Sequence, residues 1–193
     1  MSNEVKVDAE SIKKSAEDLV ELIKLRTFPF SMKLFENIDD MLSIKGLRTP
    51  SDGKFFTTCQ LVTQVRTAGF TLGIVQNNLR PGSSCGANIG LEIVPEDVSS
   101  GQKMTGVWFG NQEAAAKHQA QMPRVEAGKY SGLAASPLRT GRLDPPDICL
   151  FYASPGQMIL FINGLQYTNY RRYDFTLTCL LYTSDAADDD HCV

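Results

Sequence analysis

The sequence predicts an α/β or α+β fold: a single domain, with a mixed β-sheet and flanking helices. Three observations carry that expectation. Helical and strand-like patterns interleave along the chain instead of falling into separate runs. The apolar run Asp147 to Tyr152 feeds into Ser154-Pro155-Gly156-Gln157, which has the residues of a helix start and makes a strand–turn–helix unit. The sequence up to Thr178 contains no internal repeat, linker or low-complexity stretch.

Each element has a local reason. Ile12, Ala16, Leu19, Val20 and Ile23 share one helical face, which predicts a helix capped near Asp8 or Ser11 and ended by Phe28-Pro29. Phe30 to Phe35 alternates in part and reads as a strand, and residues 36–54 read as loop. Thr57 to Ala68 reads as a helix with Leu61, Val62, Val65 and Ala68 facing inward and Gly69 at the left-handed cap position. Phe70 to Val75 is a strand candidate. Ser84 is placed to cap a short helix that begins at Cys85 and ends before Pro95. Val107-Trp108-Phe109 is a further short strand candidate, with Trp108 and Phe109 as core or pocket wall. Gln112 to Gln121 follows Asn111 and stops at Pro123, so it reads as a helix, and Gly132 to Ala135 as another strand. The run 147–152 lacks alternation, which predicts a strand buried on both faces with Cys149 in the core. After it, Met158, Ile159, Ile162 and Leu165 supply the apolar face of a last helix.

With 42% hydrophobic and 21% charged residues, the composition excludes a collagen, a disordered chain and a small disulfide scaffold. No apolar run nears the roughly 18 residues a bilayer span needs, and the charged start resembles no signal peptide. The expectation is a soluble, cytoplasmic protein. Residues Cys179 to Asp188, CLLYTSDAAD, resemble the translation of a transposon-end sequencing adapter, against the alternative of a genuine acidic tail. The expected organisation is therefore one C-terminally incomplete domain over 1–178 and a non-native tail over 179–193. Four of the 22 acidic residues lie in that tail, leaving 18 against 19 basic ones. A net charge of +1 makes no electrostatic case for nucleic acid or a membrane surface as partner. Without the tail the cysteines are Cys59, Cys85 and Cys149 and the histidine is His118.

A family resemblance rests on a series of stretches taken in order: Cys59-Gln60 in a helix ending at Gly69, Ser84-Cys85-Gly86-Ala87-Asn88-Ile89-Gly90-Leu91, Glu113-Ala114-Ala115 and Met122-Pro123-Arg124, then Gly128-Lys129-Tyr130, Pro137-Leu138, Pro146-Asp147-Ile148-Cys149-Leu150-Phe151 and Pro155-Gly156-Gln157. Over residues 10–178 the chain resembles the prokaryotic domain-of-unknown-function family one hundred and sixty-nine. The resemblance implies that Cys59 and Cys85 match recurrent cysteines and that members continue past this point with further cysteine. It implies no activity.

Cys59 and Cys85 are accordingly the candidate metal- or cofactor-binding residues. A thiol in the first turn of a helix gains from the unpaired N–H groups there, which lowers its pKa. Two thiols that meet in space can hold a soft metal or an iron–sulfur centre, or exchange as a disulfide. The competing reading is that both cysteines fill core space. Gly82, Ser83, Ser84 and Gly86 form a candidate ligand or anion loop, where backbone N–H groups are available at a helix start. Gly82-Ser83-Ser84-Cys85-Gly86 matches the Gly-x-Ser-x-Gly pattern of a nucleophile elbow, but His118 precedes Asp144 and Asp147, so the triad order fails. Ser154 and Gln157 sit at a strand end, where α/β sheets often place ligands, and a capping box accounts for them equally. His118 reads as an exposed side chain and Arg171-Arg172 as a solvated turn. The function expected is a module binding a small molecule, metal or redox cofactor at Cys59/Cys85. The alternatives are a thiol-dependent enzyme using Cys85 and a protein-interaction domain whose cysteines are structural.

Overall fold

The computed structural model describes residues 8–81 and 84–174. The expected tail, Gly82 and Ser83 lie outside them.

Asp8 caps α1 (Ala9–Leu22), its carboxylate accepting from the Ser11 N–H at 2.8 Å. The helix ends well before Phe28: Lys24 turns into the left-handed region at φ 57°, which breaks the helical path. β1 (Phe30–Phe35) follows as expected. Within the segment expected to be loop, α2 (Ile38–Leu42) forms a single turn because the Asn37 side chain accepts from Asp39 N–H. α3 (Thr58–Ala68) starts with a reciprocal box in which Gln60 N–H donates to Thr57 Oγ1 and Thr57 N–H to Gln60 Oε1. It ends at Gly69, φ +74°. β2 (Leu72–Val75) is shorter than expected.

α4 (Ser84–Asn88) places Ser84 inside the helix and not at its cap, and it ends at Asn88, well short of Pro95. Gly90 at φ +77° turns the chain there, with Val125 and the Glu126 carbonyl packed against its α-carbon. α5 (Glu96–Ser99) then forms directly after Pro95. The expected strand at 107–109 is absent. Gly106 N–H donates to the Phe109 carbonyl in a tight loop, and Trp108 is 52% exposed, so it is not core. Asn111 caps α6 (Gln112–Ala120) through the Ala114 N–H at 2.9 Å.

β3 (Gly132–Pro137) is buried along its length. β4 (Ile148–Leu150) corrects the expectation of a strand covered on both faces. It is the last strand of the order β2-β3-β1-β4, so among the described residues one side lacks a neighbour, and Ile148, Cys149 and Leu150 are exposed. α7 (Pro155–Asn169) starts with the expected capping box at Ser154 and Gln157. Its apolar face is incompletely covered, with Ile159 60% exposed. β4 runs antiparallel to β1. Bonds from Ser131 N–H to the Phe35 carbonyl and from Leu138 N–H to the Pro29 carbonyl set β3 antiparallel to β1 as well. The class is α+β.

The chain divides into two compact units. One comprises Met1–Lys33, Val62–Thr71 and Ala135–Val193, the other Leu34–Leu61 and Leu72–Ala134. The first buries Ala16, Leu25, Phe30, Met32, Val65 and Ala135. It also encloses a hydroxyl relay. Thr71 Oγ1 and Thr140 Oγ1 each lie 2.8 Å from the buried Ser136 Oγ, and the Arg142 guanidinium donates to Thr71 Oγ1. The second buries Met41, Leu61, Ile74, Leu79, Leu91 and Leu133.

Candidate functional site

Both candidate thiols belong to the second unit. Cys59 is the second residue of α3 and Cys85 the second of α4, and both are half-buried. The strands of chain leading into these helices are joined. Phe56 N–H donates to the Asn78 carbonyl at 2.7 Å and Arg80 N–H to the Phe56 carbonyl at 3.3 Å, a parallel bridge between Phe56 and Leu79. The bridge lies three residues before Cys59 and six before Cys85, with Gly82 and Ser83 of the second segment outside the described residues. Beside Cys59, the Thr58 hydroxyl is buried with no hydrogen-bond partner among the described residues. Such a group costs about 1–3 kcal/mol unless something satisfies it.

α4 has five residues, so the dipole argument for an acidic Cys85 thiol loses most of its force. Gly86, from the candidate loop, is buried, and a Cβ there would lie 2.8 Å from Glu92 Oε2 and 3.2 Å from Leu79 Cδ1. The chain's own carboxylate therefore covers that face of the loop. Burial pushes the Glu92 carboxyl above the usual carboxylate range. Gly82 and Ser83 lie outside the described residues.

Ser154 and Gln157, in the first unit, are both engaged. Ser154 N–H donates to Gln157 Oε1 at 2.8 Å, and Gln157 Nε2 donates to the carbonyls of Ile23 at 2.9 Å and Lys24 at 2.6 Å. The side chain that starts α7 thus also holds the chain leaving α1. Nearby in sequence, the Arg66 guanidinium stacks on Tyr152, 3.9 Å from the ring centroid.

His118 is half-buried and not exposed, its ring 5.1 Å from that of Phe109. Cys149, expected in the core, is exposed at the sheet edge. Partial desolvation still pushes its thiol pKa up. Among the described residues no three His, Cys, Asp or Glu side chains group as metal ligands.

Two features were not read from the sequence. Arg124 donates to Asn88 Oδ1, to the Gln119 carbonyl and to Gln119 Oε1, joining α4 and α6. Its motif, Met122-Pro123-Arg124, was visible, but its partners were not. The second feature is a hollow against α1 lined by Arg139 and by Glu17 and Glu21 of the helix. Its only sequence signal is the four-residue spacing of Glu17 and Glu21.

The fold defines an α+β protein with Cys59 and Cys85 each in the first turn of a helix. The family model described as "Uncharacterised ArCR", DUF169, matches residues 18–180, and the chain belongs to that family. Comparison with curated proteins and with solved structures gave no match. No helix among the described residues is long and apolar enough to cross a membrane.

Proposed function

We propose that the chain is a binding module that holds a soft metal ion between the thiolates of Cys59 and Cys85. The observation that carries the reading is the parallel bridge of Phe56 with Leu79, which joins the two segments that lead into the cysteine-bearing helices. Thiolates prefer soft ions, and each thiol gives up its proton on binding. Two protein donors leave the remaining positions to exchangeable ligands.

The test is an anaerobic titration with Cd²⁺, followed by the thiolate-to-metal charge-transfer absorption. One ion per chain is expected, with the band lost in Cys59→Ser and in Cys85→Ser and kept in Cys149→Ser. No stoichiometric binding, or a band that survives both single substitutions, overturns the reading.

A further inference from the structure

We propose that the hollow beside α1 binds a small zwitterion of the amino-acid class with an apolar body. The hollow has a volume of about 190 Å³. Its wall is apolar: Ala16 and Val20 from α1, and Phe28 and Pro29 from the chain entering β1. A cavity of about 150 Å³ accommodates benzene. This one therefore takes the side chain of a leucine-sized molecule with the charged end at the rim.

The charges decide the ligand class. Glu17 and Glu21 stand one helical turn apart on α1, and Arg139 faces the same space. All three residues are exposed, where opposite charges gain little by pairing. The ion pair of Lys13 with Glu10 on α1 involves none of these three. Arg139 is held against the wall: its guanidinium lies over the Phe28 ring, 4.1 Å from the centroid. The Leu138 N–H bond to the Pro29 carbonyl, 2.9 Å, fixes the chain just before it.

Gly69 lies beside both Phe28 and Arg139, at ordinary contact distance. A Cβ there would stand 3.4 Å from Phe28 Cε2 and 3.6 Å from Arg139 Nη2. The hollow thus has acceptors for an ammonium and a planar donor for a carboxylate in its lining, together with apolar groups. An α-amino acid carries those two charges on adjacent carbons. A purely cationic amine leaves Arg139 unanswered, and a simple carboxylic acid meets two like charges.

The experiment measures binding by calorimetry with three matched probes: L-leucine, 3-methylbutylamine, which lacks the carboxylate, and 4-methylpentanoate, which lacks the ammonium. L-leucine is expected to bind about five- to tenfold tighter than either analogue, a modest factor because rim pairs are solvent-screened. In Arg139→Gln the advantage over the amine should vanish. In the double variant Glu17→Gln, Glu21→Gln the advantage over the acid should vanish. Thermal melts of each variant establish that it is folded, and Arg139→Lys should keep part of the advantage over the amine. The proposal is overturned if no probe binds, if L-leucine binds no tighter than both analogues, or if its advantage over the amine persists in folded Arg139→Gln.

Discussion

Replacing Arg124 with methionine tests how the second unit is held together. The arginine donates three hydrogen bonds: Nε to Asn88 Oδ1 at 3.1 Å, Nη1 to the Gln119 carbonyl at 2.8 Å and Nη2 to Gln119 Oε1 at 2.6 Å. Gln119 is 2% exposed, so its two oxygens have no ready access to water. A hydrogen bond from a charged donor contributes roughly 1.5–3 kcal/mol, and a buried acceptor left unmet costs about 1–3 kcal/mol. The three bonds share one guanidinium, which is only half-buried, and Asn88 is also half-buried. The contributions therefore do not add in full. A loss of about 3 kcal/mol is expected for Arg124→Met. In a chain of this size that lowers the melting temperature by roughly 6–12 °C. Thermal melts and urea unfolding monitored by circular dichroism measure it. The double variant Arg124→Met, Gln119→Leu removes the donor and one of its three acceptors, Gln119 Oε1, leaving the residue-119 carbonyl and Asn88 Oδ1, and should recover part of the loss. A loss below about 1 kcal/mol for the single variant, or a double variant no more stable than the single, would refute the reasoning.

Two further predictions follow from local geometry. Gly101→Ala should destabilise by about 2–4 kcal/mol in urea unfolding. The residue sits at φ +79°, and a Cβ would lie 2.7 Å from both Ala115 Cβ and the Gln112 carbonyl oxygen; a midpoint unchanged from the parent chain contradicts this. Glu92 titrates above its ordinary pKa because of burial. The folded chain therefore holds that proton more tightly than the unfolded one, and stability falls as pH rises from the ordinary carboxyl pKa through the raised one. Glu92→Gln should match the parent in acid below both values and exceed it at neutral pH, read from urea midpoints at several pH values. A gap that does not change with pH rules the account out.

Features set by near neighbours in the chain were legible in the sequence. Asp8, Asn111 and the Ser154–Gln157 box cap helices through side chains that reach only three residues, and Gly69 ends α3 in the left-handed region. The one-turn helices α2 and α5 escaped because periodicity needs more than one turn to register. Burial failed where it depends on what lies across the sheet. The run Ile148–Leu150 is apolar enough for a central strand, yet its place in the sheet is the edge. Of the candidate site, Cys59 and Cys85 stand out in the sequence as candidates, but the bridge between Phe56 and Leu79 does not. That bridge joins residues 23 apart in the chain, and neither has a pattern that announces it. Arg139 and Glu17 are farther apart still, so no spacing rule links them.

The bonds from Gln157 to the Ile23 and Lys24 carbonyls also impose an order on synthesis. Their partners are separated by 134 and 133 residues. At about 5–20 residues per second, the ribosome takes roughly 7–27 s to add that stretch. The unit made of Leu34–Leu61 and Leu72–Ala134 has left the peptidyl-transferase centre before Gln157 is added. During that interval α1 waits for its closing partner, and its hollow lacks Arg139 for most of it. A nascent chain stalled before Arg139 would therefore carry one unit with all its own segments and another still open.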